Sequence, residues 1–118
     1  MRANVEDIRG RGLRVDAKQS YGSADFVPLT AFQITAEMPP VMFVNPAGAI
    51  NMRLPPSSGA GAALKGQVFI FVNRSGNVVT LQTSAGAGFT TAITVAANAA
   101  TRVICTGDAT AATGWLIW

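Results

Sequence analysis

The chain has 118 residues, enough for one domain that buries roughly two-thirds of its unfolded surface. Only 13% of the residues are charged, against about 25% in an average globular protein, and 49% are hydrophobic. The net charge is +3, and the basic residues form no unbroken run, which argues against a nucleic-acid binder. The chain has no histidine and one cysteine, so an intrachain disulfide is excluded and the commonest general base is missing.

Residues 1–30 carry most of the charge and are predicted to form an N-terminal arm. Its glycines interrupt any long hydrophobic pattern, so we expect the arm to become ordered only when it lies on a neighbouring molecule. Four arginines are expected to pair with acidic groups of that neighbour, and two aromatic side chains to anchor the end of the arm. These partner-binding residues are Arg2, Arg9, Arg11, Arg14, Tyr21 and Phe26.

Residues 31–118 are predicted to form a β domain, because short alternating or apolar segments are separated by Pro, Gly, Asn and Ser turns. The expected strands are residues 31–36, 41–44, 50–54, 67–73, 78–83, 92–95, 101–106 and 114–118. The strand at 67–73 is apolar on both faces, so we expect it to be central and covered on both sides. The turn that follows contains Gly76, expected at positive φ, and predicts that strand 78–83 returns antiparallel to it.

About eight short strands at this spacing indicate an all-β fold: a small β-sandwich, jelly roll or barrel of antiparallel strands with an extended N-terminal arm. The pattern does not distinguish these topologies. Helices are disfavoured because the Ala-rich pieces are short and interrupted by Gly, Thr and Asn.

No catalytic, cofactor-binding or metal site is predicted, and we expect the protein not to be an enzyme. Beyond residue 30 the only acids are Glu37 and Asp108, and two isolated acids are more often surface or turn residues than a catalytic pair. Metal sites need clusters of Cys, His or acids, which this chain does not show. Cys105 lies in an apolar run and is expected to be a buried, unreactive thiol. No apolar stretch approaches the length of a membrane span.

The low charge has a consequence for the surface. Either Ser, Thr and Asn cover it, or part of it is covered by another molecule in the working state. We expect both, and therefore predict a sizeable interface with further copies or with a partner.

The order of elements in residues 39–118 resembles a pattern found in tailed-phage virion proteins. A Leu-Pro stop at Leu54-Pro55 precedes a Gly-initiated strand that ends in Asn, from Gly66 to Asn73. A Gly-Asn turn and a Val-Thr-Leu strand follow at 76–81, then Val-Ile-Cys at 103–105 and a final strand with two tryptophans at 115–118. With an N-terminal arm in so small a chain, this resembles the head decoration, or capsid cement, proteins of tailed bacteriophages.

The resemblance implies a virion structural protein that is made in the host cytoplasm and binds the outer surface of the phage head. Its implied partner is the major capsid protein, and its implied role is to stabilise the shell against the pressure of packaged DNA. It implies a homo-oligomer, with a trimer favoured and a dimer possible. It implies no cofactor, no membrane and no direct contact with nucleic acid.

Similar modules occur in tail-fibre and spike proteins, so the alternative is a receptor- or carbohydrate-binding module of a phage tail fibre or baseplate. That alternative predicts an exposed aromatic platform with nearby Asn and Asp, and it does not require a charged arm. A small hydrolase is disfavoured by the missing histidine and sparse acids. A nucleic-acid binder of the OB-fold type would need the scattered basic residues to converge on one face.

Overall fold

The computed structural model describes residues 23–26, for which only the backbone is considered, and residues 32–118. This part of the chain forms nine strands and one turn of 3-10 helix, so the all-β class is confirmed. The strands are β1 (Ser23–Phe26), β2 (Phe32–Gln33), β3 (Val41–Val44), β4 (Ile50–Arg53), β5 (Val68–Asn73), β6 (Val79–Gln82), β7 (Ile93–Val95), β8 (Ala100–Cys105) and β9 (Trp115–Ile117). The 3-10 turn spans Ala111–Thr113. Each predicted strand is present, and the additional strand is β1.

The strands form two sheets. The five-stranded sheet has the order β1-β3-β5-β8-β9, and the four-stranded sheet has the order β2-β4-β6-β7. From β1 to β6 the chain alternates between the sheets. Each strand from β3 to β6 pairs in parallel with the strand two places earlier in the chain. This half of the domain is therefore a coil in which each turn adds one strand to each sheet. The pairs β5–β8, β6–β7 and β8–β9 are antiparallel and complete the two sheets.

The prediction of antiparallel strands throughout is wrong for the coiled half. β6 does not return beside β5, because the two strands lie in different sheets. Tight two-residue hairpins need positive φ in the turn, and Gly76 is not among the residues that have it. The turn at 74–77 instead carries the chain across to the opposite sheet. The prediction that β5 is central is confirmed, since it lies between β3 and β8.

The corner after β5 is organised by the buried side chain of Asn73. Its Nδ2 donates hydrogen bonds to the carbonyl oxygens of Asn77 (2.6 Å), Val95 (3.2 Å) and Ala96 (3.2 Å). Its Oδ1 accepts hydrogen bonds from the backbone N–H (3.0 Å) and the hydroxyl (2.8 Å) of Ser75. One side-chain amide thus hydrogen-bonds both the connection from β5 to β6 and the connection that follows β7, and it holds these two loops together.

The hydrophobic core lies between the two sheets. The five-stranded sheet contributes the inward side chains of Met42, Val44, Phe69, Phe71, Val103, Cys105 and Trp115. The four-stranded sheet contributes those of Ile50, Met52, Val79, Leu81, Ile93 and Val95. Within each strand these positions are two residues apart, because successive side chains point to opposite faces. The alternation seen in the sequence therefore separates the core from the outer surface.

The end of the predicted arm belongs to the sheet. β1 lies at the edge of the five-stranded sheet and pairs in parallel with β3, from Ser23 opposite Val41 to Phe26 opposite Val44. Residues 1–22 and 27–31 lie outside the described residues, so the division into an arm at 1–30 and a domain at 31–118 stays a prediction.

Candidate interaction surface

The side chains that project outward from β3, β5, β8 and β9 are almost all apolar. Six of them are half-buried, and the two on the last strand and its end are 49% and 60% exposed. We refer to this set as the outer apolar face. It consists of Val41, Phe43, Val68, Ile70, Val72, Ile104, Leu116 and Trp118.

The strand register makes this face continuous. Val41 lies opposite Ile70 across the β3–β5 pair. Val68 lies opposite Ile104, which in turn lies opposite Leu116. Side chains directly opposite each other have their Cβ atoms about 4.5–5.5 Å apart, close enough to pack against one another. The apolar side chains therefore form one surface across four strands.

The outer apolar face has one charged residue within its strands, Arg102 of β8. The guanidinium carbon of Arg102 lies 4.9 Å from the ring centroid of Trp118, a cation–π arrangement. A second cation, Arg74, lies just after β5 with its guanidinium carbon 5.9 Å from the ring centroid of Phe43. Both arginines thus lie against aromatic rings of the face.

A groove of about 370 Å³ lies on the same face and is lined by Pro40, Val41, Val68, Ile70 and Trp118. All five lining residues are apolar. Pockets that bind polar ligands place a few polar groups where they can orient the ligand. The lining of this groove is suited to an apolar side chain.

The outer face of the four-stranded sheet has the opposite character. Its outward residues are Gln33, Asn51, Arg53, Thr80, Gln82 and Thr94. This alternation of an apolar inner and a polar outer face is typical of a sheet that faces water on one side. The chain thus has polar residues on the outer face of one sheet and apolar residues on the outer face of the other. The high overall content of hydrophobic residues therefore does not by itself account for the outer apolar face.

The two acids considered as a catalytic pair are both exposed and lie in separate loops. Glu37 follows β2, and Asp108 follows β8. The backbone oxygen of Asp108 accepts a hydrogen bond from the hydroxyl of Ser57 at 2.7 Å. Among the described residues there is no group of three or more His, Cys, Asp or Glu side chains that could hold a metal ion.

Cys105 is 1% exposed, so its predicted burial is confirmed. Its sulfur lies 3.9 Å from the carbonyl oxygen of Ser57 and 4.0 Å from that of Ala63. Because a thiol must be accessible and ionised to react, we expect the native protein to react with Ellman's reagent at least about 100-fold more slowly than the same protein in denaturant. Equal rates in the two conditions would contradict the burial of this strand in solution.

The structure bears on few of the partner-binding residues predicted from the sequence. Five of them lie outside the described residues: Arg2, Arg9, Arg11, Arg14 and Tyr21. Phe26 ends β1, and its backbone pairs with Val44. The sequence predicts that β5 is covered on both sides, but it does not identify the outward residues of β5 as partner-binding residues. The signal was the alternation itself, since Val68, Ile70 and Val72 occupy the positions that a solvent-facing strand fills with polar residues.

No protein-family model matches this chain, and neither a curated protein nor a solved structure matches it. None of the helical structure within residues 23–26 and 32–118 is long and apolar enough to cross a membrane. The fold and the surface together define a two-sheet β domain, half of it coiled, with one polar and one apolar outer sheet face.

Proposed function

We propose that this protein is a virion structural protein, a decoration or cement protein that binds the outer surface of a bacteriophage head and stabilises the shell. The observation that supports this best is the outer apolar face, on a domain whose other outer sheet face is polar. Apolar patches that extend across several strands are typical of proteins that work within an assembly. The resemblance of residues 39–118 to phage virion proteins directs the proposal to the major capsid protein as the partner.

The proposed mechanism is mechanical. The β domain lies on the shell, and the part of the predicted arm that precedes β1, residues 1–22, crosses neighbouring capsid subunits, where its arginines pair with acidic groups. Ordering a free arm costs roughly 1–2 kcal/mol per residue in backbone entropy, so apolar contacts and ion pairs along the arm must exceed this cost. Many copies repeated over one shell then combine modest individual contacts into strong overall stabilisation.

The test is binding to heads of the tailed phage whose genome encodes this chain, prepared without decoration protein. We expect the full chain to sediment with expanded heads in a saturable manner and to raise the temperature at which the heads release DNA. A variant lacking residues 1–22 is expected to bind at least about 10-fold more weakly, because the arm no longer contributes to binding. The deletion ends at residue 22 because Ser23–Phe26 form a strand of the sheet.

Thr80→Lys, on the polar outer face, changes neither the arm nor the outer apolar face and is expected to bind heads like the unmodified chain. Absence of binding by the folded full chain at tens of micromolar, far above the usual range for a specific complex, would contradict the proposal.

The second candidate is a receptor- or carbohydrate-binding module of a tail fibre or baseplate. It is favoured by Trp118, which is 60% exposed beside the groove and offers an aromatic surface on which a sugar can stack. The groove lining lacks the Asn and Asp groups that this alternative predicts. Saturable quenching of tryptophan fluorescence by host surface polysaccharide, abolished by Trp118→Ala, would support this candidate over the first.

A further inference from the structure

We infer that the outer apolar face is the contact between copies of this chain, with a second copy packed on it sheet face to sheet face. The inference concerns the protein alone and does not depend on binding to a phage head. It rests on the charge, the extent and the shape of the face.

The charge of the face fits a second copy of the chain. A two-fold contact brings the same surface of two molecules together, so any charged patch would face its own sign. Within the part of the chain that the structure describes, the outer apolar face has only two cations in contact with it, and each lies against an aromatic ring of the face: Arg102 over Trp118 and Arg74 over Phe43. Depletion of charge is also the compositional mark of the buried centre of protein interfaces. The face is therefore compatible with a copy of itself.

The charge of the chain's own N-terminal segment makes it a poor covering for the outer apolar face. Residues 1–22 contain eight charged side chains: Arg2, Glu6, Asp7, Arg9, Arg11, Arg14, Asp16 and Lys18. Laying this segment on a face that offers only two cations among the described residues, Arg74 and Arg102, would remove most of these charges from water without providing partners for them. Burial of unpaired charges is strongly unfavourable, whereas packing one apolar face on another is favourable.

The extent of the face fits a reversible contact between two chains. The four strands of the face, spaced about 4.8 Å apart, make it roughly 19 Å wide, and the six residues of β5 make it roughly 20 Å long. A face of this size provides about 400 Å² for each partner, which is in the range of weak, reversible interfaces. We therefore expect association with a dissociation constant in the micromolar range.

The shape of the face favours one arrangement of the two copies. A featureless sheet face could pair with its copy in many registers. The groove of about 370 Å³ beside Ile70 and Trp118 provides a hollow that an apolar side chain of the second copy fills. Filling it favours one arrangement, because interfaces of this kind pack as closely as protein interiors.

The experiment is measurement of solution mass by light scattering and sedimentation equilibrium, from about 1 to several hundred micromolar protein. Three single lysine substitutions are compared with the unmodified chain. Ile70→Lys places a charge at the middle of the central strand, and Leu116→Lys places one at the edge of the same face. Thr80→Lys adds the same charge to the polar outer face and is the control.

The unmodified chain and Thr80→Lys are expected to show concentration-dependent mass above that of one chain. Ile70→Lys is expected to weaken association by about 100-fold, because a buried unpaired charge at an interface centre has an effect of this size. Leu116→Lys is expected to weaken it by about 10-fold, because a charge at the edge of an interface keeps part of its contact with water. Circular dichroism and a cooperative thermal transition establish that each variant folds. Leu116 lies opposite Ile104 at an exposed edge, so its substitution tests the inference even if Ile70→Lys does not fold.

Three results would overturn the inference. One is the mass of a single chain at every concentration of the unmodified protein. Another is an oligomer whose mass neither face variant changes. The third comes from the same measurement on the variant lacking residues 1–22. Association of that variant, when the full chain remains a single chain, would show that the N-terminal segment covers the face. Because heads are absent from all these measurements, failure of the capsid proposal would leave the result unchanged.

Discussion

Asn73→Ala is expected to lower the free energy of unfolding by about 3–5 kcal/mol. The substitution removes the amide that donates to the carbonyl oxygens of Asn77, Val95 and Ala96 and accepts twice from Ser75. Each backbone group left unsatisfied in a buried site costs about 1–3 kcal/mol, and part of this is recovered where water can reach the corner. Urea unfolding followed by circular dichroism, at a concentration where the protein is a single chain, measures the change.

Asn51→Ala is the matched control. Asn51 is exposed on the polar outer face of β4, so its substitution is expected to change the unfolding free energy by no more than about 0.5 kcal/mol. Asn73→Asp is expected to destabilise more than Asn73→Ala at neutral pH, because a carboxylate would face three carbonyl oxygens. Similar stabilities for the Asn73 and Asn51 variants would contradict the assigned role of the corner.

Trp115→Ala is also expected to lower the free energy of unfolding by about 3–5 kcal/mol. Trp115 is 2% exposed, and its ring centroid lies 5.6 Å from that of Phe69. Its Nε1 donates a hydrogen bond to the carbonyl oxygen of Pro55 at 2.9 Å. The substitution therefore leaves a large cavity between the sheets and an unpaired buried acceptor.

The other tryptophan provides the control. Trp118→Ala is expected to reduce the stability of the single chain by no more than about 1 kcal/mol, since Trp118 is 60% exposed and the substitution removes a cation–π interaction with Arg102 and one wall of a surface groove, not a core contact. The same substitution is expected to weaken self-association, because Trp118 lies on the outer apolar face. Equal destabilisation of the two variants would contradict the separation between core and outer face.

These predictions describe one strand with two roles. The inward residues of β5, Phe69 and Phe71, are fully buried and hold the two sheets together. Its outward residues, of which Ile70 is the central one, are proposed to hold copies of the chain together. A strand of this kind has no polar face, which explains why β5 is the most strongly apolar segment of the chain.

Several features followed from local sequence patterns. Alternation of side-chain character located the strands, since residues two apart share a face in any strand, whatever its partner. The apolar character of 67–73 predicted a central strand, and the apolar surroundings of Cys105 predicted its burial. Each of these properties depends on a residue and its near neighbours in the chain.

The pairing of the strands depends on contacts that local patterns do not encode. Alternation is the same in parallel and antiparallel strands, so it does not identify the neighbour of β6. That neighbour depends on the direction in which the chain leaves β5 at the corner formed by residues 74–77. The hydrogen bonds of Asn73 organise this corner, and they reach residues up to 23 positions away in the chain. The outer apolar face likewise exists only because side chains from four strands, distant in sequence, are brought into register. Local patterning therefore specifies which residues are apolar and how they alternate. Which of them face each other and which face outward is set by the folded chain, because the partners of a strand are chosen by contacts between segments far apart in sequence.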